Sequence, residues 1–173
     1  MAGHQTSFHV VHVTDDGLRT TGKDARAASS IPSGLIDAYL STTCELGLGG
    51  AGPRLRIGEP VGTGPGTVGG MMADAGATCA ALITAWNPYS SPATTDADNE
   101  GAHARLLDCL GGIPGITVHD GQGVGENSKW TPERSVLAVG LGEIDAVTRG
   151  REFRQNAIVW IGDHGMPELV LLG

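Results

Sequence analysis

Between residues 79 and 161 the hydrophobic period alternates between that of a strand and that of a helix, and the order of the changes leaves few folds open. Cys79 to Trp86 is a nearly continuous apolar run of strand length, the pattern of a central strand covered on both faces. Asp96 or Asp98 can cap a helix in which Ala102, Leu106, Cys109 and Leu110 recur at helical spacing, and Gly111-Gly112 ends it. Ile116 to His119 and Ser135 to Val139 read as strands, separated by a polar loop from Gly121 through Trp130 and Pro132. A second helix, Glu143 to Phe153, places Ala146, Val147, Gly150 and Phe153 on one face, where Gly150 allows a close approach to a sheet. Ala157 to Ile161 and Leu169 to Leu172 are the last strands, on either side of the turn Gly162 to Gly165.

Strand, helix, strand, strand, helix, strand is the split β-α-β order of ferredoxin-like folds. The expected class is therefore α+β. It is a two-layer sandwich with a ferredoxin-like β-α-β-β-α-β core over 79–161, an N-terminal helix and hairpin extension, and a C-terminal strand. The extension comprises a helix from Pro32 or Ser33 to Leu40, a strand over Thr42 to Leu46, a glycine-rich turn and a strand at Leu55 to Ile57. Residues 1–33 are polar and small and are expected to be a flexible segment outside the single domain formed by 34–173. Their one alternating patch, Phe8 to Val13, can pair as an edge strand. Removing residues 1–30 should leave the domain folded.

Length and composition narrow the function classes. The 173 residues suit one domain with a sizeable core. A net charge of -8 makes the average surface repel polyanions, so nucleic acid is excluded as a general partner. No apolar run is long enough to span a membrane, and the first thirty residues lack a signal-peptide core, so a cytoplasmic protein is expected. Cys44, Cys79 and Cys109 show no CxxC spacing and read as buried thiols. His9 and His12 could face one metal only in a helix, which the neighbouring valines disfavour. Gly64, Gly66 and Gly69 match dinucleotide-binding spacing, but no solid strand precedes them, so the stretch reads as a loop and no cofactor is assigned.

Strand direction points to a site. Right-handed crossovers order the four core strands fourth, first, third, second. Asn87, the start of the first helix at Asn99, His119, Glu133, Ser135, Gln155 and Asn156 then all open onto one end of the sheet. Glu133 and His119 are the acid-base candidates there. Asn87, Asn99, Ser135, Gln155 and Asn156 are the ligand-binding candidates, and Trp130 joins them as an apolar wall beside Trp86. The reading is a site for a small polar or anionic metabolite, enzymatic or sensory, with the helix N-terminus favouring negative charge. The alternative is a non-catalytic interaction or oligomerisation module, with a homodimer as the partner.

The same residues carry a family resemblance. Leu35-Ile-Asp-Ala-Tyr39, Leu55-Arg-Ile-Gly58, Ile83-Thr-Ala-Trp-Asn-Pro88, Asn99, Trp130, Glu133, Ser135 and Phe153-Arg-Gln-Asn-Ala-Ile-Val-Trp160 resemble the bacterial domain-of-unknown-function family 3293, over about residues 35–172. The chain departs from the family at Arg154, where Gly is usual, and at Glu100-Gly101 after Asn99. The resemblance implies no activity, cofactor or catalytic residue.

Overall fold

The computed structural model describes residues 8–15, 19–47, 51–125 and 131–173. The first half of the chain forms β1 (Val10–Val13), β2 (Arg19–Thr21), α1 (Lys23–Ala28), α2 (Ser33–Ser41), β3 (Thr43–Leu46), β4 (Arg54–Arg56) and α3 (Val68–Asp74). The second half forms β5 (Ala80–Ile83), α4 (Asp96–Gly111), β6 (Thr117–Val124), β7 (Glu133–Val139), α5 (Glu143–Glu152), β8 (Ala157–Ile161) and β9 (Pro167–Leu171). The strands make one sheet in the order β2-β1-β9-β8-β5-β7-β6-β3-β4. Every neighbouring pair is antiparallel except β1 with β9. None of the described helices is long and apolar enough to cross a membrane.

The expected two-layer ferredoxin-like sandwich does not form. In its place is a nine-stranded mixed sheet curled into a half-barrel. β8, β5, β7 and β6 do lie side by side in that order, but neither side of this group is an edge. The difference arises in the glycine stretch from Gly121, whose composition is that of a loop. β6 continues through Gly121-Gln122-Gly123-Val124, and these residues pair in turn with Leu46, Glu45, Cys44 and Thr43 of β3. A strand edge left open has unpaired N–H and C=O groups, and here β3 satisfies those of β6 while β9 and β1 extend the other side. β1 is thus flanked on both sides, by β2 and β9, and is not an edge strand.

Side-chain alternation sends two apolar sets to opposite faces. On one face Ala81, Ile83, Val136, Ala138 and Ile158 pack with Ala102, Leu106 and Leu110 of α4 and Ala146 and Val147 of α5. Gly150 lets α5 sit this close, since a Cβ there would come within 2.7 Å of Ile158 Cγ2. On the other, concave face Cys44, Leu46, Leu55, Leu137 and Ile161 meet Val68 and Met72 of α3. Farther along that face, Val10, Leu169 and Leu171 meet Ile36 and Leu40 of α2.

Candidate functional site

The concave face is not completely filled. Leu82, Thr84 and Trp86 follow one another at every second position along and beyond β5, and Glu133 and Ser135 do the same on β7. Gly123 stands opposite Glu133 on one side and opposite Cys44 on the other. Having no side chain, Gly123 leaves room between two strands, and a cavity remains beneath the curl, closed by Leu55, Ile57 and Tyr39. It offers about 120 Å³ to the centres of water-sized atoms. A shallower outer groove lies beyond its mouth, lined by Ser91, Thr94, Asp96, Asn99 and Thr131. Trp86, Asn87, Ser90 and Glu133 line both spaces and form the partition between them.

Three of the carboxyl and carboxamide groups singled out in the sequence form one chain of hydrogen bonds at that partition. Asn99, buried on the first turn of α4, accepts the backbone N–H of Asn87 on Oδ1 (2.8 Å) and donates Nδ2 to Asn87 Oδ1 (3.0 Å). Asn87 donates Nδ2 to Glu133 Oε1 (2.7 Å). Among the described residues Glu133 Oε2 has no partner, so this oxygen is the unspent acceptor of the mouth. Burial pushes the Glu133 carboxyl above its ordinary value, and the Asn87 N–H opposes that shift.

Backbone strain is concentrated in the same place. Asn87, Tyr89 and Ser90 all have left-handed φ, at 44°, 54° and 54°, around Pro88. The tight turn is held by Ser90 N–H to Asn87 O (2.7 Å) and Tyr89 N–H to Arg154 O (2.8 Å). Arg154 is also left-handed, at φ 55°, a conformation that glycine adopts most readily. Gln155 ties the two loops from beneath, donating Nε2 to Trp86 O and Phe153 O. Asn156 ties them at the rim, donating Nδ2 to Tyr39 Oη (3.1 Å) and Ser90 Oγ (3.4 Å), which are themselves 2.8 Å apart.

The remaining candidates separate. Ser135 is buried in the cavity wall with Oγ 3.6 Å from Cys44 Sγ. Burial pushes the Cys44 thiol up to about 11, the state of an inert core cysteine. His119 is not at the mouth: it pairs in register with Leu137, four residues along β6 from Gly123 and so about 13 Å from the level of Glu133. Burial lowers its pKa. Trp130 lies outside the described residues. His9 meets Glu168, and His12 Nε2 contacts Gly173 O, so the two do not share a ligand. Asp120 pairs not with His119 but with His103 on α4 (3.3 Å), beside Arg134 and Glu100 on the far side of the sheet. No cluster of three or more metal-ligating side chains occurs among the described residues.

Sequence reasoning missed Tyr39, Cys44, Ser90 and Gly123 as parts of the site. The segment Leu35 to Tyr39 carried a signal through the family resemblance, but only the curl of the sheet brings α2 and β3 over β5 and β7. No curated protein and no solved structure matches the chain. The model of the family described as protein of unknown function (DUF3293) matches residues 83–158, a segment holding Asn87, Asn99, Glu133, Gln155 and Asn156, and over that segment the chain resembles this family.

Proposed function

We propose that this chain binds a small molecule in the concave cavity, with Glu133 as the polar contact and the group placed for acid-base work. The observation that carries the reading is the mouth itself. An apolar cavity opens at a carboxyl group that is oriented by a two-asparagine relay and lifted above its ordinary pKa by burial. Structural need alone does not call for a part-buried carboxylate with one oxygen unspent.

The lining supports a polar rather than an anionic ligand head. Among the described residues no Lys, Arg or His lines the cavity or the groove. The first turn of α4 is already answered by the Thr95 side chain, which accepts from Asp98 N–H, and by the charges of Asp96 and Asp98. The interaction-module reading has less behind it. The two outermost strands, β2 and β4, are three residues each, and the exposed large hydrophobics Phe8, Tyr89 and Ile144 sit on separate elements.

The test is a thermal-shift screen of neutral and charged metabolite-sized compounds on the wild type and on Gly123→Val. A Cβ at Gly123 meets Thr42 Cγ2 at 3.4 Å, an ordinary contact, and the added methyls project into the cavity. Compounds that raise Tm in the wild type should lose that effect in Gly123→Val. Hits that stabilise both proteins equally would place the ligand elsewhere and remove the proposal.

A further inference from the structure

We infer that the cavity takes a small apolar amine, its ammonium on Glu133 and its body between Leu82, Val159 and Trp86. The inference rests on the proposed function above and names the ligand class for the same site.

The first argument is the direction of the hydrogen bonds. Asn99 Oδ1 accepts a backbone N–H, which can only donate, so the other end of its carboxamide must be the NH₂ group. That NH₂ donates to Asn87 Oδ1, and Asn87 must then turn its own NH₂ toward Glu133. No amide flip is left free, because a backbone donor sets the whole relay. The result is a mouth at which the relay ends on a carboxylate, with Glu133 Oε2 left as an open acceptor. A ligand group that donates is favoured at that oxygen, and a carboxylate or phosphate there would meet like charge.

The second argument is charge along the whole route. The outer groove adds Asp96 to Glu133 and, among the described residues, contributes no basic side chain, on a protein of net charge -8. A cation is therefore drawn toward the mouth and an anion is repelled from it. Trp86 lines both spaces, so its ring is available to a cation passing from groove to cavity. Behind the mouth the walls are Leu55, Ile57, Leu82, Val159 and Leu169, which suit an aliphatic or aromatic body. Neutral alcohols also donate, but a charge-assisted bond to a half-buried carboxylate is stronger than a neutral one.

Three near-isosteric probes test this by calorimetric titration at neutral pH: phenethylamine, 2-phenylethanol and 3-phenylpropionate. The wild type should bind phenethylamine at least tenfold more tightly than 2-phenylethanol and should not bind 3-phenylpropionate. Glu133→Gln, whose amide must keep its oxygen on Asn87 and so turn its N–H to the mouth, should cost phenethylamine at least tenfold in affinity, and a Tm no lower than that of the wild type shows that the variant keeps its fold. Equal or tighter binding of 3-phenylpropionate, or phenethylamine binding indifferent to Glu133→Gln, overturns the amine assignment while the cavity reading stands. Binding of none of the three also overturns the amine assignment. The cavity reading itself falls only if the wider screen yields no hit that Gly123→Val abolishes.

Discussion

Asn87 donates its side-chain N–H to Glu133 across 2.7 Å, joining a left-handed turn to the first residue of a strand 46 positions away. The contact sits between an apolar cavity and an open groove. The sheet curls so that both the end of β5 and the start of β7 face into the same space. A carboxylate held there is a poor choice for stability, and this leads to the first prediction.

Glu133→Gln should stabilise the protein at neutral pH. The folded-state pKa of Glu133 is raised above its ordinary 4.5, so the folded chain binds the proton more tightly than the unfolded chain. Stability from this group is complete below about pH 4.5 and is lost as pH rises through the folded value. Gln can still accept the Asn87 N–H and carries no charge to desolvate. The side chain is only part buried, so the gain should stay below about 1 kcal/mol, or below about 4 °C in Tm for a chain of this size. Melting curves of both proteins from pH 4 to 8 should converge at the acid end and separate toward neutrality. A variant less stable than the wild type at pH 7 would show that the carboxylate is a structural anchor.

Asn99→Ala should destabilise by about 1–3 kcal/mol, because it strips partners from both the Asn87 backbone N–H and Asn87 Oδ1 in a site only 2 % exposed at Asn99. Asn156→Ala should lose less than about 1 kcal/mol, since its partners Tyr39 and Ser90 are hydroxyls near the surface that water can serve. Urea unfolding with unchanged slopes resolves the two, and equal losses would contradict the assigned roles.

Deleting residues 1–30 should now be costly, contrary to what their composition suggests. Val10 and Val11 are 2 % and 3 % exposed, one on each face of the sheet, and Ala25 is fully buried. Burying a valine is worth about 1.5–3 kcal/mol, and the deletion also opens the long edge of β9. A loss of about 3–6 kcal/mol is expected against a typical total of about 5–15 kcal/mol. Urea unfolding of the truncated chain checks this, and a midpoint equal to the full chain would rule it out.

Most elements of the second half of the chain are legible in the sequence alone, because each is a local property. The apolar run through Ala80–Ile83, the helical stripe of Ala102, Leu106 and Leu110, and the close-packing Gly150 all read correctly from period and turn chemistry. The polar residues worth testing were legible on the same grounds, since Asn87, Glu133 and Gln155 stand where strands and loops need no such groups. How far the sheet extends and what covers its concave face follow from long-range pairing and are not legible locally. Gly121 to Val124 has no hydrophobic signal of its own and becomes strand because β3 and β7 supply partners on both sides. Val10 to Val13 shows the alternation of a strand but not its place, which pairing with β2 and β9 sets inside the sheet and not at its edge. That His103 meets Asp120, and that His119 stands away from the mouth, was likewise set by how α4 packs on β6 and how far β6 extends. Pairing between distant strands is non-local, and the cavity that gives Glu133 its setting exists only once that pairing has curled the sheet.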